Sequence, residues 1–262
     1  VNEIQLPQGR VNAGVVRVGD TVRRPTGPWT PTIHAYLDHL ERRGFAGAPR
    51  VLGTDEEGRE ILTFIEGEVP HDADWNPGMP NLWPEHLRGG ETLRAAGAML
   101  RALHNASAGF VPIDPVWREH GTPMRPDEIV THGDVGQHNT VYRDGMAVAF
   151  IDWDGAMPNL PILEFGKAAW SFVPLGEDRV NRNGGWPTAE EMVERLVVFC
   201  RAYGETRRSV IRWALQHSRQ RGVEKLRYWK LNAAEAAEAL DVIARDLRWF
   251  SEHEDTITRA LD

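Results

Sequence analysis

The sequence predicts an α+β fold in two parts, and three observations carry that expectation. Short β-type runs crowd the first 65 residues, helical periods fill the chain after Ile162, and an apolar hairpin lies between them. Strands first and helices last is the mark of a segregated α+β chain, not of alternating βα units. At 262 residues the chain is long enough for one large domain or two lobes. We place the division at residues 1–66, a small sheet with one helix, and 67–262, a mostly helical part carrying the hairpin.

Val15-Val16-Arg17-Val18 reads as a strand, Gly19-Asp20 as a turn, and Thr21-Val22-Arg23-Arg24 as a second strand ended by Pro25. Pro28 to Pro31 reads as loop. A helix follows from Thr32 to Arg43, with Ile33, Tyr36, Leu37 and Leu40 on one face, and Gly44 stops it. Pro49–Gly53 and Glu60–Ile65 form a hairpin around Asp55-Glu56-Glu57-Gly58. Residues 67–88 mix Pro, Trp and Asp without a period and read as a connection. Glu91 to Asn105 is an amphipathic helix, with Leu93, Ala96, Leu100 and Leu103 in phase. Val148 to Trp153 is an apolar strand partnered by Val141-Tyr142 across a turn at Arg143-Asp144-Gly145. Helices are expected over 162–172, 188–203, 207–230 and 233–260.

Composition removes several function classes. The net charge is −8, so the basic footprint of nucleic-acid binding is missing. No apolar run approaches the roughly 20 residues that cross a bilayer. The first 30 residues lack the basic-then-apolar pattern of a signal peptide, and a cytoplasmic location is expected. Cys200 is the only cysteine, which excludes an internal disulfide and a cysteine metal site. It ends the apolar run Leu196–Cys200 and reads as a buried structural thiol. There is no Gly-x-Ser-x-Gly elbow for a hydrolase.

The chemistry sits in Thr131-His132-Gly133-Asp134-Val135-Gly136-Gln137-His138-Asn139 and Ala149-Phe150-Ile151-Asp152-Trp153-Asp154. Phosphoryl transfer needs an acceptor for the substrate's hydroxyl proton and hard oxygen ligands for magnesium on the nucleotide phosphates. Kinases use an Asp for the first task, and an Asn five residues on with a later Asp for the second. Asp134 and Asn139 have that spacing. Asp152 comes thirteen residues later, returned by the hairpin. Asp134 is therefore the candidate base, and Asn139 and Asp152 the candidate metal ligands. His132 reads as a neutral, structural histidine of the loop. His138, beside Asn139, and Asp154 are candidates for substrate contact or support.

His-Gly-Asp, four residues, Asn, then Ile-Asp-Trp resembles the signature of the aminoglycoside phosphotransferase family. Arg101-Ala102-Leu103-His104 resembles the end of that family's helix before the catalytic loop. Phe64-Ile65-Glu66-Gly67-Glu68 resembles the end of its hinge between lobes, and the resemblance runs from about residue 9 to 250. It implies a protein-kinase-like two-lobe fold, Mg2+, and ATP or GTP as phosphate donor. It further implies that Gly9 to Gly14, including Asn12, lies over the phosphates, and that the backbone of Thr63 and Ile65 meets the purine. A cation on the following strand should touch the phosphates. Arg23 and Arg24 point to opposite faces, so only one can do so, and Arg24 is preferred. Its acid should come from the helix after Pro31, which offers His34, Asp38 and Glu41 but no Glu at the expected place. The family's Gly-Asp-Pro and Asp-Leu are replaced by Asn159-Leu160-Pro161-Ile162-Leu163-Glu164, with Glu164 in the place of the second Asp, which supports the catalytic loop.

The expected function is phosphate transfer to a hydroxyl of an aminoglycoside or similar amino-sugar-like compound. Glu177, Asp178, Glu190, Glu191, Glu194 and Glu224 are available for a cationic acceptor, or are simply solvated helix faces. The rivals are a kinase of a macrolide, choline-like alcohol, homoserine-like amino acid, nucleoside antibiotic or sugar, and a nucleotide-binding module without turnover. The sequence leaves monomer and homodimer open.

Overall fold

The computed structural model describes residues 2–7, 14–70, 83–119, 123–176, 188–226 and 231–261. Among these residues five antiparallel strands open the fold: β1 (Ile4–Gln5), β2 (Val16–Val18), β3 (Thr21–Arg24), β4 (Val51–Thr54) and β5 (Glu60–Thr63), in the order β1-β2-β3-β5-β4. The register sets Arg24 opposite Glu60 and Val22 opposite Leu62. Between β3 and β4 runs α1 (Thr30–Arg42). It starts two residues before the expected Thr32, because Pro31 fits the first helical turn, where no N–H is required. Its buried face is the predicted one, Ile33, Tyr36, Leu37 and Leu40. The Tyr36 hydroxyl lies 2.6 Å from both Ser107 Oγ and the Val130 carbonyl. One buried phenol thus ties α1 to α2 (Gly90–Ser107) and β6 (Ile129–Thr131).

The hairpin is β7 (Thr140–Arg143) with β8 (Met146–Phe150). Asp144 and Gly145 turn it with φ of 51° and 76°, the left-handed pair that matches strand twist. The strand expected over Val148–Trp153 sits earlier, since Asp152 has a φ of 64° and cannot continue a ladder. β9 (Met157–Asn159) pairs with β6 and was not expected, because Met-Pro-Asn has no strand signature.

Among the described residues five helices follow: α3 (Pro161–Phe172), α4 (Ala189–Tyr203), α5 (Arg208–Lys225), α6 (Ala233–Glu252) and α7 (Glu254–Ala260). The single helix expected over 233–260 breaks at His253, whose Nδ1 bonds the Trp249 carbonyl, and Ile257 beyond the break is fully buried. α2 packs on α4 and α3 on α5. Gly166 sets the second crossing: a Cβ there would stand 2.3 Å from the Ala214 carbonyl oxygen. One continuous core links Leu62 and α1 with Leu103, Phe165, Phe199 and Leu215. Cys200 is in it, as expected, and burial pushes its thiol up to about 12.

Candidate active site

The loop after β6 turns at Gly133, with φ of 80°, and a Cβ there would lie 1.9 Å from the Gly155 carbonyl oxygen. Only glycine lets the two loops touch. Glu164, projecting from the first turn of α3, holds this turn. Its Oε1 accepts from the Gly133 N–H at 2.6 Å, and its Oε2 accepts from the His132 N–H at 3.3 Å and His104 Nε2 at 2.9 Å. Burial alone would raise the Glu164 carboxyl, but the hydrogen bonds from His104 and from the Gly133 N–H carry it below the usual carboxylate range. Glu164 therefore bonds two consecutive backbone N–H groups of the loop.

His132 is fully buried. Its Nε2 donates to the Ile151 carbonyl at 3.0 Å, so its Nδ1 is the acceptor for the Asp134 N–H at 3.2 Å. Burial pushes its pKa below the ordinary histidine value, so the ring is neutral. The Ile151 N–H in turn donates to the Asn139 carbonyl at 2.9 Å. Ile151 is therefore clamped on both sides, by the loop's histidine and by its asparagine, and Asp152 follows at once. The Asn139 Nδ2 donates to the Asp134 carbonyl and to Asp134 Oδ2, both at 3.0 Å. Asp134, Asn139 and Asp152 are thus brought together by backbone bonds between the two motifs.

These residues fit a magnesium ion. With its Nδ2 spent on Asp134, Asn139 presents Oδ1, and Asp152 offers a carboxylate. Mg2+ normally takes one or two protein oxygens and completes its shell with phosphates and water. Among the described residues no three His, Cys, Asp or Glu side chains form an all-protein cluster, which is the other kind of site.

Arg23 and Arg24 diverge as the strand pleat requires. Arg23 faces Asp55 at 3.7 Å and Thr21. Arg24 is buried and meets Asp152 at 2.9 Å, Asp154 at 2.9 Å and Glu60 at 3.4 Å. Burial would lower its pKa, but Asp152, Asp154 and Glu60 together hold it above the usual guanidinium value. Glu60 answers the missing acid: it comes from the neighbouring strand, and the α1 helix contributes His34, 2.8 Å from Glu60. Asp154 is closed in between Arg24 and Arg118, the latter also at 2.9 Å. Burial raises the Asp154 carboxyl against the pull of both arginines. In the structure Asp154 is ion-paired to both of these cations.

His138 is exposed, with Nε2 3.4 Å from Asp134 Oδ2. The Thr63 N–H is taken by the Arg50 carbonyl at 3.0 Å, and Ile65 lies two residues beyond β5, half-buried. Gly9 and Asn12 lie outside the described residues. Sequence reasoning missed Glu60, Arg118 and Lys167. Lys167 Nζ lies 2.5 Å from Asp134 Oδ1 and 2.7 Å from the Gly133 carbonyl. Its signal was its place three residues after Glu164, on the same helix face. The strand register could have given Glu60, and nothing local marks Arg118.

Residues 113–195 match the family model described as "Phosphotransferase enzyme family". Over 259 residues the chain is 32% identical to the trifolitoxin immunity protein of Rhizobium leguminosarum bv. trifolii, covering 94% of each chain. This chain belongs to the phosphotransferase enzyme family. Its fold is shared by solved structures. Choline kinase from Cryptosporidium parvum Iowa II superimposes with a TM-score of 0.60 at 10% identity, over 99% of this chain and 92% of that one. Amicoumacin kinase hAmiN, solved with AMP-PNP, Ca2+ and Ami, gives 0.54 at 13% identity, over 97% and 88%. At such identities they speak for the fold alone, and it is the protein-kinase-like arrangement that the resemblance implied. Among the described residues, no helix of this chain is long and apolar enough to cross a membrane.

Proposed function

We propose that this phosphotransferase moves the γ-phosphoryl group of ATP or GTP to a hydroxyl of a small molecule. The observation that supports this most is the double clamp on Ile151, which sets Asp152 beside Asn139 and Asp134. In this reading residues 1–66 hold the nucleotide and residues 67–262 the acceptor. Arg24 contacts the phosphates, the chain at Thr63 and Ile65 contacts the purine, and Gly9 and Asn12 belong to the loop over the phosphates. Asn139 and Asp152 hold Mg2+, which neutralises the phosphate oxygens. Asp134 receives the acceptor's hydroxyl proton, the acceptor oxygen bonds to Pγ, and the Pγ–O bond to the diphosphate breaks, leaving with its electron pair on ADP or GDP. The protein's part is positioning and charge compensation.

The acceptor we propose to try first is an aminoglycoside or similar amino-sugar compound. A second reading has its own support. The described carboxylates Glu190, Glu191 and Glu194 lie on α4, which packs on α2 and α7, and Glu191 caps its own helix through Thr188. The side chain beside Asp134 from α3 is a lysine. Glu177, Asp178 and the Glu224 side chain lie outside the described residues. A relative named as an immunity protein also favours a toxin as acceptor, whose hydroxyl would be blocked by a phosphate. The test is transfer of label from γ-labelled ATP and GTP, with magnesium, to a panel of aminoglycosides, macrolides, nucleoside antibiotics, amino alcohols, sugars and trifolitoxin, with Asp134→Asn as control. Label on one acceptor, absent with the variant, is expected. Equal label with the variant would remove Asp134 from the role.

A further inference from the structure

We propose that Lys167 is the positioning residue of the base and the cation that is handed to the phosphoryl group during transfer. The proposal rests on the phosphotransferase reading above and assigns a role to a residue outside both motifs. Lys167 stands on α3, whose start is fixed to the loop by Glu164 and whose far side is locked to α5 by the close crossing at Gly166. Its ammonium is therefore delivered by a rigid element and not by the loop it serves. Two of its three N–H groups have acceptors, Asp134 Oδ1 at 2.5 Å and the Gly133 carbonyl at 2.7 Å. The other Asp134 oxygen is taken by Asn139 Nδ2 at 3.0 Å. Both oxygens of the carboxylate are thus oriented, one by a candidate metal ligand and one by a full positive charge. The Lys167 side chain is 32% exposed, so the third N–H has room for an incoming oxygen.

The charge bookkeeping gives the role. In the resting site Lys167 balances the Asp134 carboxylate. When Asp134 takes the acceptor's proton it becomes neutral, and the same ammonium is left uncompensated beside the reacting centre. Negative charge on the transferring phosphoryl oxygens and on the diphosphate is there at that moment to receive it. A cation that is compensated in the ground state and released in the transition state stabilises the latter selectively.

The test compares Lys167→Met and Lys167→Arg with wild type, in transfer and in binding. Lys167→Met is expected to lower kcat about 100-fold, with nucleotide KM within about threefold, on the scale of losing one preorganised donor. Lys167→Arg should recover at least about a tenth of the wild-type rate. A readout free of the acceptor's identity is calorimetric binding of MgAMP-PNP against MgADP with aluminium fluoride, a mimic of the transferring phosphoryl. Lys167→Met should weaken the second about 30-fold or more and leave the first unchanged. Equal loss for both, or kcat within threefold of wild type, would overturn the proposal and leave Lys167 a packing residue. Wild-type protein that binds neither ligand would overturn the phosphotransferase reading itself, and with it this role.

Discussion

Two polar clusters meet in this site, and they are built on opposite principles. Around Glu164 each contact is a fixed hydrogen bond between buried groups: His104, the backbone N–H groups of His132 and Gly133, and the neutral His132 ring. Around Arg24 the contacts are ion pairs, with Glu60, Asp152 and Asp154 facing Arg24 and Arg118. The first cluster has nothing to exchange and serves as a frame. The second holds three carboxylates and two guanidinium groups, a balance that an arriving magnesium ion and phosphates can redistribute. Asp152 is the hinge of that exchange, being at once Arg24's partner and a candidate metal ligand. Buried satisfied networks rigidify, whereas charge pairs can be traded.

The largest effect expected is on chemistry and leaves both clusters standing. Asp134→Asn should reduce turnover about 10³-fold, with the melting temperature near wild type and AMP-PNP still bound. Turnover within tenfold would show that another group takes the proton. Breaking the frame comes next. Glu164→Gln keeps the shape but cannot serve two backbone N–H groups and His104 together, and should cost about 3 kcal/mol of stability, read as urea midpoint. An unchanged midpoint would mean that the loop holds itself.

The exchangeable cluster should respond more gently. Arg24→Lys keeps the charge but cannot reach three carboxylates with one planar fork, so Mg-nucleotide affinity should fall about tenfold while stability changes little. If stability falls and affinity does not, the cluster is structural after all. The smallest effect is on pH. His132 has a folded pKa below the ordinary value of about 6.5. As pH drops under that value the unfolded chain takes up a proton that the fold refuses, so stability declines with acid. Glu164, lowered in the fold, adds a second loss below about pH 4.5. Melting curves from pH 8 to pH 4 should show a decline beginning near 6.5, and no decline above pH 5 would contradict the neutral buried ring.

The frame and the exchangeable cluster were not equally legible. Asp134, Asn139 and Asp152 could be read from spacing, because a loop and a hairpin keep them local in sequence. Glu164 could be placed by resemblance to a family pattern. Helix faces such as Ile33-Tyr36-Leu37-Leu40 followed from periodicity alone. Glu60 was hidden because its partnership with Arg24 depends on strand register, not on sequence distance. Arg118 was hidden because its segment has no period and reaches Asp154 across 36 residues. The break at His253 was invisible because no Gly or Pro marks it in the sequence.

We assign the metal to Asp152 and the acceptor to Asp134, two roles within one segment. Calorimetry of AMP-PNP with and without Mg2+, on wild type, Asp134→Asn and Asp152→Ala, separates them. With this division of roles, magnesium should tighten binding for wild type and for Asp134→Asn, and Asp152→Ala should lose this enhancement. Equal enhancement in all three proteins would contradict it.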